Sequence, residues 1–365
     1  MENKKFLAGL LVIVLALGMA LAGCGKSSKS SGDSNSGGGT TANKTSGGGG
    51  DSNGGWTSIK GSPINEHIRA VAYGNNMFVA GGEGGQMGYS KDGVTWTKIT
   101  TNIFNYGSGN SAGIASIRTI AYGNNKFVAG CAGGGIIATS TDGINWTAIT
   151  TNAFDFKDQY DHLQTGNIYS ITFGNGKFVA TGGRGNIATS TDGTTWKDSK
   201  TTDIYYAITY GKDKFVAGGL NGKMATSTDG VNWTAVADSG FGDELINVIA
   251  YGNNKFVAGG TEGRMAYSSD GVKWTTVADS KFKKYGYLND INGIAFSNGK
   301  FVAVGDKGTI ATSTDGVKWT AVETDALNFK TAISSTPCDI NWITFGDGKF
   351  VAVAKNSKMA YSTGK

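Results

Sequence analysis

Seven polar side chains stand at one offset in a repeated pattern, and their types define the chemistry open to them. Arg69, Arg118, Tyr169, Tyr206, Asn247, Asn292 and Asn341 each precede a closing aromatic by four residues. Those aromatics are Tyr73, Tyr122, Phe173, Tyr210, Tyr251, Phe296 and Phe345, in segments otherwise rich in Ile, Val, Ala and Thr. Two guanidiniums suit a carboxylate or phosphate, while Tyr and Asn suit sugar hydroxyls. Just upstream of these segments stand Glu66, His67, Asp203, Asp290 and Asp339, and Glu83, Arg184, Glu262 and Lys307 lie in short connections further on. A pair of carboxylates can cleave a glycosidic bond, so the acids define a second candidate chemistry. A narrow channel filled with solvated polar side chains gives the same pattern without any ligand.

The elements that must position these residues are legible as repeats. Six intact copies pair an Ile-x-x-Ile-Ala-Tyr type segment with Lys-Phe-Val-Ala, then Ala-Thr-Ser, a tight turn and a tryptophan segment. The closing tryptophans, Trp96, Trp146, Trp196, Trp233, Trp274 and Trp319, lie 50, 50, 37, 41 and 45 residues apart. That is the range of propeller blades. A seventh copy runs from Ile340 to Thr363 without its tryptophan segment, which stands instead at the other end as Trp56-Thr57-Ser58-Ile59. The expected fold is all-β: a seven-bladed β-propeller of four-stranded antiparallel blades, closed by an N-terminal strand that completes the last blade. Closure of this kind removes exposed sheet edges.

Within each copy we letter the strands A to D outwards from the axis, with strand D expected to begin at the tryptophan. The A-to-B turns, such as Gly74-Asn75-Asn76, carry the Gly/Asn chemistry of tight hairpins. They share a face with the C-to-D turns, so the seven polar residues and the long D-to-A loops should lie together on the other face. Loops on a rigid scaffold are where binding usually resides. Phe104, Phe154, Phe241 and Phe282, with Ile64 and Ile204, each fall eight residues after their tryptophan. An apolar residue held at one offset reads as a plug against the next sheet. Tyr106, Phe156, Tyr160, Tyr285 and Tyr287 do not share it, so they are either exposed stacking contacts or residues that order their own loops.

The C-to-D turns read Ser-x-Asp-Gly-x-x-Trp, with Asp92, Asp142, Asp192, Asp229, Asp270 and Asp315 at the acidic position. They resemble the Asp-box of sialidases and related propellers, although one residue shorter. The wider pattern is similar to photosystem II assembly factor-like and other bacterial lipoprotein propellers. The resemblance implies a structural role for these aspartates, agreeing with the tendency of Asp to bond the backbone two residues on. Sialidase activity would need three arginines, a Tyr–Glu pair, an Asp acid and usually an Arg-Ile-Pro segment. Here Arg69 is followed by Ala70 and Val71, and the only prolines are Pro63 and Pro337. Only the idea of an assembly scaffold carries over from the photosystem relatives.

The first residues carry Lys4 and Lys5, an apolar run from Phe6 to Ala22, and Leu21-Ala22-Gly23-Cys24. This is a secretory signal, and it resembles a bacterial lipoprotein signal, which implies cleavage before Cys24 and lipidation there. Residues 1–23 are thus read as signal, 24–55 as a lipidated Cys with a Gly/Ser-rich tether, and 56–365 as the propeller. A tether of roughly 30 residues has a reach of about 30 Å. The expected location is a cell membrane, lipid-anchored and facing outside the cytoplasm.

A formal charge of +5 on 365 residues gives no case for nucleic acid. His67 and His162 are the only histidines, with no Cys/His cluster near either, so neither metal nor cofactor is expected and no catalytic residue is assigned. Cys131 and Cys338 fall in blades two and seven, which are not neighbours, and read as separate thiols. The expected protein is a monomeric binding or assembly scaffold for a surface protein or polysaccharide, held at the membrane through the lipid on Cys24. The alternative is a glycan-active hydrolase or lyase using axial carboxylates.

Overall fold

A computed structural model describes residues 55–107, 113–157, 160–161, 163–284, 286–324, 326 and 337–363. Seven four-stranded antiparallel sheets surround an axis lined by the A strands: Ile68–Gly74, Ser116–Gly123, Ile168–Gly174, Tyr205–Gly211, Ile246–Gly252, Ile291–Ser297 and Ile340–Gly346. The seventh blade takes its outer strand from the N-terminal side: Trp56–Ser58 pairs with Met359–Ser362, Trp56 facing Ser362 and Ser58 facing Ala360. The seven-bladed β-propeller is therefore closed by strand pairing between the two ends of the chain. Because Ser362 ends strand C, Trp56 enters at the C-to-D turn face. Residues 1–54, which hold Cys24 and the expected signal and tether, lie outside the described residues.

Strand B explains the core. In Lys-Phe-Val-Ala the pleat alternates, yet Phe, Val and Ala are all buried, because each blade is covered on both faces by its neighbours. Phe78, Phe127, Phe178, Phe215, Phe256, Phe301 and Phe350 are all fully buried, each worth about 1.5–3 kcal/mol on the area scale. The aromatic that closes strand A packs on the Phe of its own blade, as Tyr73 on Phe78 at 4.6 Å between centroids. The same ring covers the preceding blade. A Cβ placed on Gly174 would lie 2.0 Å from Tyr210 Cγ, and one on Gly346 would lie 2.1 Å from Tyr73 Cγ. Glycine there lets the next blade's ring rest on bare backbone.

The C-to-D turns are built alike. Asp92 Oδ1 accepts from the Val94 and Thr95 amides at 2.8 and 2.7 Å and from Ser90 Oγ at 2.9 Å. The set repeats at Asp142, Asp192, Asp229, Asp270 and Asp315. In those six blades strand D starts one residue after the tryptophan. In five of them the indole N–H turns back, as Trp196 does to the Gly193 carbonyl at 3.2 Å, whereas the Trp319 indole N–H is buried without a partner among the described residues. Neighbouring turns are tied together: Asn124 and Asn253 donate to the Thr191 and Thr314 carbonyls of the next blade at 3.2 and 3.0 Å. The turn face is thus repetitive and committed to architecture.

The other face carries the variation. Three small hairpins rise from D-to-A loops: Asn105–Tyr106 with Gly113–Ile114, Asp155–Lys157 with Leu163–Thr165, and Lys283–Lys284 with Tyr287–Leu288. Beneath them Phe104, Phe154, Phe241, Phe282 and Ile64 are fully buried plugs, and Ile204 is half-buried. Cys131 is a buried thiol whose burial pushes it up; Cys338 Sγ, also buried, accepts from Asn356 Nδ2 at 3.4 Å. Among the described residues no helix is long and apolar enough to cross a membrane. No group of three or more His, Cys, Asp or Glu side chains there could hold a metal ion.

Candidate functional site at the axial mouth

Strand A meets strand B in register except at one place, the same in every blade. In blade one the register slips between Ile68 and Ala70, leaving Arg69 as the extra residue. In the other six blades the residue passed over is Arg118, Tyr169, Tyr206, Asn247, Asn292 or Asn341. A bulge turns its extra residue out of the normal alternation and re-aims the side chain. Repeated seven times, it aims all seven polar side chains at one cavity of about 370 Å³ at the axial mouth. Asp290, Asp306, Asp339, Trp342 and Lys355 complete the lining.

The ring is not uniform. Arg69 is held by Glu83, with Nε donating to Oε1 at 3.1 Å and a terminal nitrogen making a second bond to the same oxygen. Arg118 is exposed and makes no ion pair among the described residues. Tyr169 and Tyr206 stack, centroids 4.3 Å apart and planes 11° from parallel. Burial and the neighbouring Tyr169 push the Tyr206 phenol up, while Arg118 pulls it the other way. The asparagines stitch blades together: Asn247 Nδ2 donates to the Ile291 carbonyl at 3.2 Å, Asn292 to Ile340 at 3.0 Å and Asn341 to Ile68 at 2.7 Å.

The entrance residues divide in the same way. Asp290 Oδ1 accepts from the Glu262 amide at 3.0 Å, and Asp339 Oδ1 from the Lys307 amide at 2.9 Å. His67 Nδ1 and Asn167 Oδ1 make the equivalent contacts to Asn356 and Gly133 amides, at 3.0 and 2.9 Å. In these four blades the side chain before strand A therefore anchors the B-to-C turn of the preceding blade. Asp339 also holds Lys355 at 2.6 Å. Burial pushes the Asp306 carboxyl up, and Asp339 and Asp290 add to the rise; Asn292, donating at 2.9 Å, and Lys355 oppose it.

Of the acids proposed from sequence, Asp290 and Asp339 line the cavity, while Glu66 and Asp203 do not. Arg184, Glu262 and Lys307 also lie off the lining, at the left-handed tips of their turns with φ of 61°, 54° and 52°. In blades six and seven the residue one place before the tip is the one on the lining, which is how Asp306 and Lys355 enter the site. Their signal was present: each directly follows strand B, as Glu83 does. Trp342 was also missed, although the other six blades have Ala70, Thr119, Ser170, Ala207, Val248 or Gly293 at its place. It borders both the mouth and a second axial cavity of about 240 Å³ on the turn side, and so forms the floor between them.

The loop aromatics lean on the next blade. Tyr106 packs over Gly134, Arg184 sits 4.8 Å from the Phe156 ring centroid, and Lys307 Nζ sits 4.1 Å from that of Tyr287. Tyr160 and Tyr287 nonetheless remain 71% and 66% exposed, enough surface to meet a partner. His162 and Tyr285 lie outside the described residues.

No protein-family model and no curated protein matches the chain. Solved structures share the fold. YCF48 bound to D1 peptide aligns with a TM-score of 0.63 at 15% identity, covering 86% of this chain and 96% of that one. YCF48 from Cyanidioschyzon merolae gives 0.59 at 15%, covering 84% and 98%. A catalytically inactive virginiamycin B lyase from Staphylococcus aureus with quinupristin gives 0.64 at 11%, also covering 84% and 98%. At these identities the likeness is one of fold: both a peptide-binding propeller and a lyase are built this way.

Proposed function

We propose that the chain is an extracytoplasmic binding or assembly scaffold, lipid-anchored through Cys24, that captures a surface protein on its variable face. The observation that carries this reading is the separation of the two faces. The turn face repeats the same bonds blade after blade, while the non-repeating chemistry collects around one axial mouth ringed by hairpins with exposed Tyr160, Tyr287 and Leu288. Entry of the chain at the turn face supports a tether on the far side from that mouth, leaving it open to a partner. The solved YCF48 with its D1 peptide supports a protein segment as the partner, with wall polysaccharide the other outcome. The Ser-x-Asp-Gly-x-x-Trp turns serve as a shortened Asp-box.

The carboxylates lining the mouth favour a second reading, a glycan-active hydrolase or lyase. It is the weaker one, since Asp290 and Asp339 each spend an oxygen on a backbone amide and Asp339 spends the other on Lys355. A photo-cross-linking residue placed at Tyr287 or Tyr160 should give an adduct on intact cells, and one at Val231 in a C-to-D turn should not. Equal labelling from both faces would overturn the assignment of the face.

A further inference from the structure

The charges left uncompensated at the mouth are of opposite sign and lie far apart around the ring. Arg69 is neutralised by Glu83, and Lys355 by Asp339. What remains is Arg118 in blade two against Asp290 and Asp306 at blade six, none of them in an ion pair among the described residues. Blades two and six are separated by two blades on one side and three on the other, so these charges face each other across the opening. Between them lie the Trp342 indole as floor and the Tyr169–Tyr206 stack as wall.

We infer that the axial mouth binds a small soluble zwitterion, its anionic end on Arg118 and its cationic end between Asp290 and Asp306. A guanidinium is a strong partner for a carboxylate or phosphate, and an ammonium over an aromatic face gains further attraction. Burial disfavours ionisation of Asp306, and Asp339 and Asp290 add to it; an ammonium placed there offsets the repulsion among the carboxylates. The volume of about 370 Å³ is that of a small-ligand pocket. Two-point attachment makes affinity depend on the distance between the charges, since the second contact is gained only when the span fits. The inference rests on the mouth being the binding site and adds the class of chemical group it takes.

Calorimetry of the full chain in detergent tests it with a ladder of ω-amino acids from glycine to 6-aminohexanoate, beside butyrate and butylamine. The expected result is one preferred length, bound at least about tenfold tighter than either single-ended compound, a gap of 1.4 kcal/mol. Arg118→Gln should abolish the preference, as should Asp290→Asn with Asp306→Asn, which keeps the acceptor oxygens that hold Glu262 and Asn292. Unchanged melting temperatures would show that these variants remain folded. Butyrate binding as tightly as the best amino acid, through Arg118, would overturn the zwitterion but leave the mouth as a binding site. A ladder with no binding at any length, alongside adducts from Tyr287 on cells, would overturn it and leave the protein-capture reading standing.

Discussion

The Asn341 side-chain amide donates to the Ile68 carbonyl at 2.7 Å, across the seam where the last blade meets the first. Asn247 and Asn292 make the same bond between blades five, six and seven. Three of the seven ring side chains are therefore mechanical, which leaves the Arg and Tyr members of the ring for recognition. Asn341→Ala should cost about 0.5–1.5 kcal/mol, the worth of one net hydrogen bond. A lowered urea midpoint would check this, with ligand affinity at the mouth unchanged.

Ring closure makes a second prediction about close approach. In Gly174→Ala the new methyl would lie 2.0 Å from Tyr210 Cγ, so the ring of the next blade must move. Overpacking of this kind costs about 1–3 kcal/mol. Gly176→Ala, whose Cβ meets nothing within 4 Å but whose φ is 72°, separates backbone strain from packing. A larger loss for Gly174→Ala than for Gly176→Ala would identify the interblade contact as the cause.

Trp196→Ala removes a buried indole that contacts the plug Phe154 at 6.5 Å between centroids. Core aromatic deletions cost about 3–5 kcal/mol, and thermal melting should show a loss of that order. A melting temperature unmoved by the change would contradict the placing of the tryptophan between blades.

Acid should loosen the turn face. Partial burial pushes the Asp92 carboxyl up, but bonds from the Thr95 and Val94 amides and from Ser90 outweigh it and hold it at about 2. The Lys273 and Val272 amides hold Asp270 at about 2 as well, and Asp142, Asp192 and Asp229 are likewise lowered by their turn amides. The folded values lie below the unfolded value of about 3.9. The stabilisation is thus complete above about pH 4 and is lost as the pH falls towards 2. The urea midpoint should drop through that interval, and Asp92→Asn with Asp270→Asn should flatten the drop.

Much of this architecture was legible because tryptophan spacing, the plug offset and the split seventh repeat are all properties of order along the chain. The polar ring was visible for the same reason: seven residues hold one offset. What the sequence does not carry is direction. Nothing in Ile-Arg-Ala-Val distinguishes a bulged arginine from one in regular alternation, and an asparagine bonded to a carbonyl reads like one facing solvent. Lys307 and Asp306 are neighbours, yet the left-handed turn sends one outward and the other into the cavity. Asp290 and Asp339 were legible as acids at the mouth but not as anchors for the preceding blade's turn, since their partners are backbone amides.

The most direct test of the axial mouth as the capture site compares the full chain with Arg69→Ala/Arg118→Ala for affinity towards the surface component it cross-links from Tyr287. Affinity should fall at least about tenfold in a variant that still folds, with Asn341→Ala as a stability control that binds normally. Equal affinity in the double arginine variant would contradict it and move the contact to the hairpins alone.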